Sequence, residues 1–233
     1  MSNAPLATLL LGFVLGLRHA LDADHVVAVS TIVSQYRSPF KAAAVGIFWG
    51  IGHTSTLFLV GLAVIVFKLA IPPQLAAAME FLVGVALFVL GVQNLWRYRS
   101  ERHTHFHEHG GLVHTHEHLH HYHEGEETQH HSLPQHRSLY LGMIHGLAGS
   151  AALMLLVLGT IQSPLGGLGY ILIFGMGSII GMVVISTLIG LPLSLSSQRS
   201  KFLTDRIRFI TGALSAVFGI FVMIEVGLTN GLL

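Results

Sequence analysis

The stretch Arg18-His19-Ala20-Leu21-Asp22-Ala23-Asp24-His25 sets two imidazoles, two carboxylates and a guanidinium inside an otherwise apolar run. Imidazole nitrogen beside carboxylate oxygen is a donor set for nickel, cobalt, zinc or copper and a poor one for magnesium or calcium. At about 100° per residue a helix carries His19, Asp22 and His25 on one face. Arg18 lies one turn before Asp22 and is expected to pair with it. Asp24 points elsewhere unless the helix breaks, and a break is expected because Gly12 and Gly16 precede the cluster. Two more histidines sit in apolar runs: His53, followed by Thr54, and His145. Together the four histidines His19, His25, His53 and His145, on three helices, suggest convergence on one ion, with Asp22 or Asp24 supplying charge and Arg18 and Thr54 in supporting or structural roles. A lone histidine in an apolar helix is often just an interhelical hydrogen bond, and for His145 that reading stands beside the ligand reading. For His19, Asp24 and His25 together, packing alone does not repay the cost of burying so many ionisable groups.

The elements that must position these residues are membrane helices. Of 233 residues, 52% are hydrophobic and 10% charged, against roughly a quarter charged in an ordinary soluble domain; mean hydropathy is +0.67. A bilayer core takes roughly 20 apolar residues of helix. Six segments reach that length, at about 5–34, 40–68, 74–96, 138–161, 166–193 and 205–229. They are too long and too continuously apolar for barrel strands. The first run has no charged leading region and continues into patterned polar residues, so it reads as mature sequence, not a signal peptide. A formal net charge of +1 gives no footing for a nucleic-acid partner. With no cysteine there is no disulfide, thiolate ligand or cysteine nucleophile.

Basic residues sort by loop. Arg37, Lys41, Arg97, Arg99, Arg102, Arg137, Arg199, Lys201, Arg206 and Arg208 follow segments one, three and five, and Lys68 alone lies on the other side. The positive-inside rule then places those loops in the cytoplasm and both termini outside, in an integral protein of the cytoplasmic (plasma) membrane. The halves are also related. Gly12 and Gly16 match Gly142 and Gly146, Gly50 and Gly52 match Gly175 and Gly177, and Gly84 and Gly91 match Gly212 and Gly219, at offsets near 130, 125 and 128 residues. Three helices per half make the copies inverted. The expected fold is therefore all-α, with six transmembrane helices as a 3+3 inverted repeat (1–96 and 138–233) joined by a histidine-rich loop (97–137). Secondary transporters use that architecture, with the site between the halves near the midplane.

His19-x4-Asp24-His25 closely resembles the signature of the nickel/cobalt transporter family, and Gly52-His53-Thr54-Ser55 resembles that family's second motif. The chain is most similar to the compact branch associated with urease maturation. The resemblance implies nickel or cobalt as the transported ion, with zinc also accommodated, no cofactor, and metal selection by His19, Asp24, His25 and His53. It also implies the lipid bilayer and cytoplasmic nickel-handling or urease-maturation proteins as partners. Two features depart from longer members. The signature lies on the first helix instead of the second. The helix with His145-Gly146-Leu147-Ala148-Gly149-Ser150 carries no carboxylate where those members have an acidic motif.

Thirteen of the 17 histidines fall between His103 and His136. His103, His105, His107, His109, His114, His116, His118, His120, His121 and His123 sit among too few apolar residues to build a core, so disorder and accessory metal binding are expected. No Gly-x4-Gly-Lys-Ser/Thr stretch supplies an ATPase. The expected activity is ion uptake into the cytoplasm without enzymatic chemistry. The alternatives are efflux through the same site and an intramembrane metal enzyme; the latter lacks a His-Glu-x-x-His set or an evident general base.

Overall fold

A computed structural model describes residues 4–36, 38–69, 71–100, 104–109, 112–117, 134–147, 161, 163–199 and 201–230. In chain order these form α1 (Ala4–His19), α2 (Ala23–Val33), α3 (Pro39–Phe67), α4 (Pro73–Ser100), β1 (Thr104–His109), β2 (Leu112–Glu117), α5 (Pro134–Gly146), α6 (Pro164–Arg199) and α7 (Lys201–Thr229). Proline opens α3, α4, α5 and α6. That is the one helical position where a missing N–H costs nothing and a fixed φ helps. Lys68 closes α3 in the left-handed conformation, φ 50°.

Four helices among the described residues are long and apolar enough to cross a membrane, and the bent pair α1–α2 makes a fifth span. The expected sixth, 138–161, is described only through Leu147 and at Ile161. Large apolar side chains face outward on every long helix, among them Leu59, Leu172, Leu188, Val217 and Phe221. Such a surface suits lipid, and the protein is integral to a membrane.

The interior is built on glycine. A methyl on Gly16 would run into the carbonyl oxygen of Phe174, and one on Gly177 into that of Phe13, so α1 and α6 touch backbone to backbone. Gly142 and Gly146 do the same for α5 against the carbonyls of Trp49 and His53 in α3. Small residues allow this approach where lipid supplies no hydrophobic drive between helices. The expected break at the cluster is present, but Gly12 and Gly16 do not make it. Both lie within α1, facing Tyr170 and Phe174, and the chain breaks further on, at Ala20–Asp22.

The contacts are reciprocal. Gly50 meets Ile179 while Gly175 meets Thr54, and one sequence offset relates both members of the two pairs. Likewise Gly84 and Gly91 lie against Gly219 and Gly212 in the antiparallel pair α4–α7.

The stretch 97–137 is not wholly without regular structure. Arg97–Ser100 finish α4, and β1 pairs antiparallel with β2, His105 opposite His116 and His107 opposite His114. Alternating threonine, phenylalanine and valine among the histidines supply the β-propensity. His103, His118, His120, His121 and His123 lie outside the described residues.

Candidate metal centre

The break after His19 makes the site. α1 ends at His19, Asp22 stands in extended conformation (φ −60°, ψ 143°) as the N-cap of α2, and the two helices meet at 53°. A continuous helix would have turned Asp24 away from His19; the bend folds Asp22, Asp24 and His25 back toward it. α3 contributes His53 and α5 contributes His145. The six candidate donors therefore come from four helices.

Two carboxylate–imidazole pairs anchor the cluster. His19 Nδ1 donates to Asp22 Oδ2 at 2.7 Å, and His25 Nδ1 donates to Asp24 Oδ1 at 2.9 Å. A carboxylate only accepts, so each Nδ1 carries the hydrogen and each Nε2 keeps its lone pair. His145 is fixed the same way, its Nδ1 donating to the Leu141 carbonyl oxygen at 3.1 Å. The expected Arg18–Asp22 ion pair is not formed; Asp22 bonds His19, and Arg18 is exposed.

The free nitrogens point inward. His19 Nε2 lies 3.0 Å from His53 Nε2. With metal–nitrogen bonds of about 2.0–2.1 Å, two neighbouring ligand nitrogens sit about 3.0–3.4 Å apart, so this spacing is already that of a coordination edge. The donor atoms of His19, His25 and His53 all lie within 4.8 Å of one another. His25 Nε2, His53 Nδ1 and His145 Nε2 are buried without a hydrogen-bond partner among the described residues. A buried polar atom left unpaired costs about 1–3 kcal/mol. Two of them, His25 Nε2 and His145 Nε2, are lone pairs because their Nδ1 atoms carry the hydrogens, and they mark a place kept ready for an electron-pair acceptor. His25, His53 and His145 are fully buried or within 1% of it.

Aromatic rings complete the walls. The Trp49 ring centroid is 4.7 Å from that of His145 and 6.3 Å from that of His25, and Phe174 is 5.6 Å from His19. Neither ring was among the sequence candidates. Trp49 was findable, one turn before His53 on the same helix face; Phe174 occupies the position that the repeat relates to Trp49. Thr54 donates to the Gly175 carbonyl oxygen at 3.3 Å, tying α3 to α6.

Residues 6–230 match the family NicO, described as high-affinity nickel-transport protein. The urease accessory protein UreH of Bacillus sp. (strain TB-90) is 43% identical over 228 residues, covering 97% of this chain and 95% of that one. A chloroplast protein of Arabidopsis thaliana, FOR GROWTH AND FERTILITY 2, is 23% identical over 92% of this chain, which spans 55% of its length. The nickel transporter NixA of Staphylococcus aureus is 43% identical over 51 residues, 22% of this chain and 15% of its own. No solved structure matches.

Proposed function

From the premise that this chain belongs to the NicO family of high-affinity nickel-transport proteins, we propose that it carries nickel into the cytoplasm through the buried imidazole cluster. Nickel transport is the family's activity; the site, the direction and the cycle are our reading. The observation that carries it is the gathering of His19, His25, His53 and His145, with the Nε2 lone pairs of His19, His25 and His145 fixed by Nδ1–H bonds and His53 Nε2 3.0 Å from that of His19. Asp22 and Asp24 hold two of those rings and place negative charge beside a dication in a low-dielectric interior. Cobalt and zinc suit the same donors less selectively.

The inside-negative potential contributes about 2.3 kcal/mol per charge per 100 mV, and twice that for a dication, which favours uptake over efflux. The reciprocal glycine contacts support an inverted pair of halves, 1–96 and 138–233, that rock about the site to expose it to either face. The basic loops support an orientation with the termini outside and the β1–β2 hairpin in the cytoplasm, where its histidines serve as an accessory store for arriving ions. The similarity to UreH supports delivery to urease maturation.

The test is nickel flux into proteoliposomes under an imposed inside-negative potential. Wild type is expected to accumulate nickel over manganese, and His53→Ala to abolish accumulation. Equal flux in His53→Ala would rule out this cluster as the route.

A further inference from the structure

We propose that the cluster holds two stations for a single ion: an open one of Asp22 and Asp24 in front of His25, and the closed imidazole one behind it. This deepens the reading above and rests on it.

The donor atoms of Asp22, Asp24 and His25 lie within 4.8 Å of one another, as do those of His19, His25 and His53, and His25 belongs to both groups. Exposure falls steeply along the line. The Asp22 side chain is 46% exposed and that of Asp24 22%, while His25 and His53 are fully buried. His25 is the partition. Its Nδ1 faces Asp24, and its Nε2 is buried with no described partner, on the side of the closed station. Each carboxylate gives one oxygen to an imidazole, Oδ2 of Asp22 and Oδ1 of Asp24, and so keeps the other for an ion or its water shell.

The two stations differ in chemistry. Carboxylate oxygens take hydrated divalent cations by charge, magnesium and calcium included; a shell of imidazoles takes only borderline ions that exchange water for nitrogen. The open station therefore captures and the closed station sorts. A neutral imidazole has one lone pair and one N–H. His25 cannot ligate on both sides at once, so one ion passes around its ring and two do not queue.

The test is nickel flux by the full chain in proteoliposomes, with millimolar magnesium chloride set against choline chloride at equal ionic strength. Magnesium is expected to inhibit wild type competitively without being carried. Asp22→Asn keeps an oxygen to accept from His19 but loses the charge. It should raise the half-saturating nickel concentration by at least about tenfold and lose the magnesium sensitivity. Magnesium acting on wild type no more than choline does, or as strongly on Asp22→Asn as on wild type, overturns the open station. The wild-type comparison decides even if the variant fails to fold. Full flux in His53→Ala is a separate result: it removes the closed station, and with it the reading on which this one rests.

Discussion

At the scale of single residues, the site is governed by which nitrogen of each ring is free. Asp24 acts here through His25, holding Nδ1–H so that Nε2 faces the cavity. Loss of such an outer partner costs about 10–100-fold in metal affinity. Asp24→Ala is therefore expected to weaken nickel binding to the purified protein by that range, measured by titration calorimetry, while His25→Ala removes the ligand and should cost more. An Asp24→Ala variant binding as tightly as wild type would show the pair to be mere packing. His145 is the sharper case. Its ring lies tilted against Trp49 and 5.5 Å, centroid to centroid, from His25. If it ligates, His145→Ala lowers nickel affinity at least about tenfold, the cost of one lost ligand contact worth 1.4 kcal/mol; if it only fills space, His145→Phe restores what alanine loses. The residue types and spacing made His19, Asp24, His25 and His53 readable from the chain, because no other force accounts for so many ionisable groups in an apolar run. What the spacing could not give was the division of labour. A helical wheel puts Asp22 beside Arg18, yet the bend at Ala20–Asp22 turns its carboxylate onto His19 instead.

At the scale of elements, position is set by glycine. His145 can reach the cluster because Gly142, one turn earlier, lets α5 touch the Trp49 carbonyl of α3 with no side chain between. A methyl there meets backbone, which cannot swing aside, and over-packing of this kind costs about 1–3 kcal/mol. Gly142→Ala should lower the melting temperature and weaken nickel binding together, since it drives apart the helices that carry His145 and His53. Gly169→Ala supplies the control, with no described residue within 4 Å of the added carbon; its melting temperature in detergent is expected not to fall. These contacts explain why the glycines do not make the break. Glycine before a polar cluster looks like a hinge, yet Gly12 and Gly16 lie within α1 and the break falls at Ala20–Asp22. Inside a membrane the same residue more often marks the closest helix contact, and only the identity of the neighbouring helix decides between them. The helix starts, by contrast, were legible to within one turn: segments read from 40, 74, 138 and 166 begin at Pro39, Pro73, Pro134 and Pro164. The histidine-rich stretch was legible in composition alone: its low apolar content argued against a core but was silent on the short pairing of Thr104–His109 with Leu112–Glu117.

At the scale of the whole molecule, the proposed duplication and the membrane together account for where charge goes. In the antiparallel pair α4–α7, Gly84 meets Gly219 and Gly91 meets Gly212. That register sets Glu80 level with Glu225 near one end and Arg97 level with Arg208 near the other. The offset that relates the glycines also relates Glu80 to Arg208 and Arg97 to Glu225. Helices related by that offset thus carry opposite charge at matching positions. The proposed inverted repeat accounts for this: matching positions would lie at opposite faces, and basic residues would be held on the cytoplasmic face in both halves. At the basic end, Arg97 and Arg137 both donate to the Gln35 side-chain oxygen, and Arg208 donates to the Ser34 and Gln35 carbonyl oxygens. Three helices thereby hold the C-terminal end of α2, whose other end carries Asp24 and His25. The sidedness is testable directly, because the chain has no cysteine to mask a reporter. Lys68→Cys and Arg99→Cys stand at opposite ends of the bundle, both exposed. In intact cells a membrane-impermeant maleimide should label the first and reach the second only after the membrane is opened. The reverse pattern would put Arg97, Arg137 and Arg208 outside, and the potential that drives a dication inward would then have to load the site from the end of α2 that those arginines hold shut.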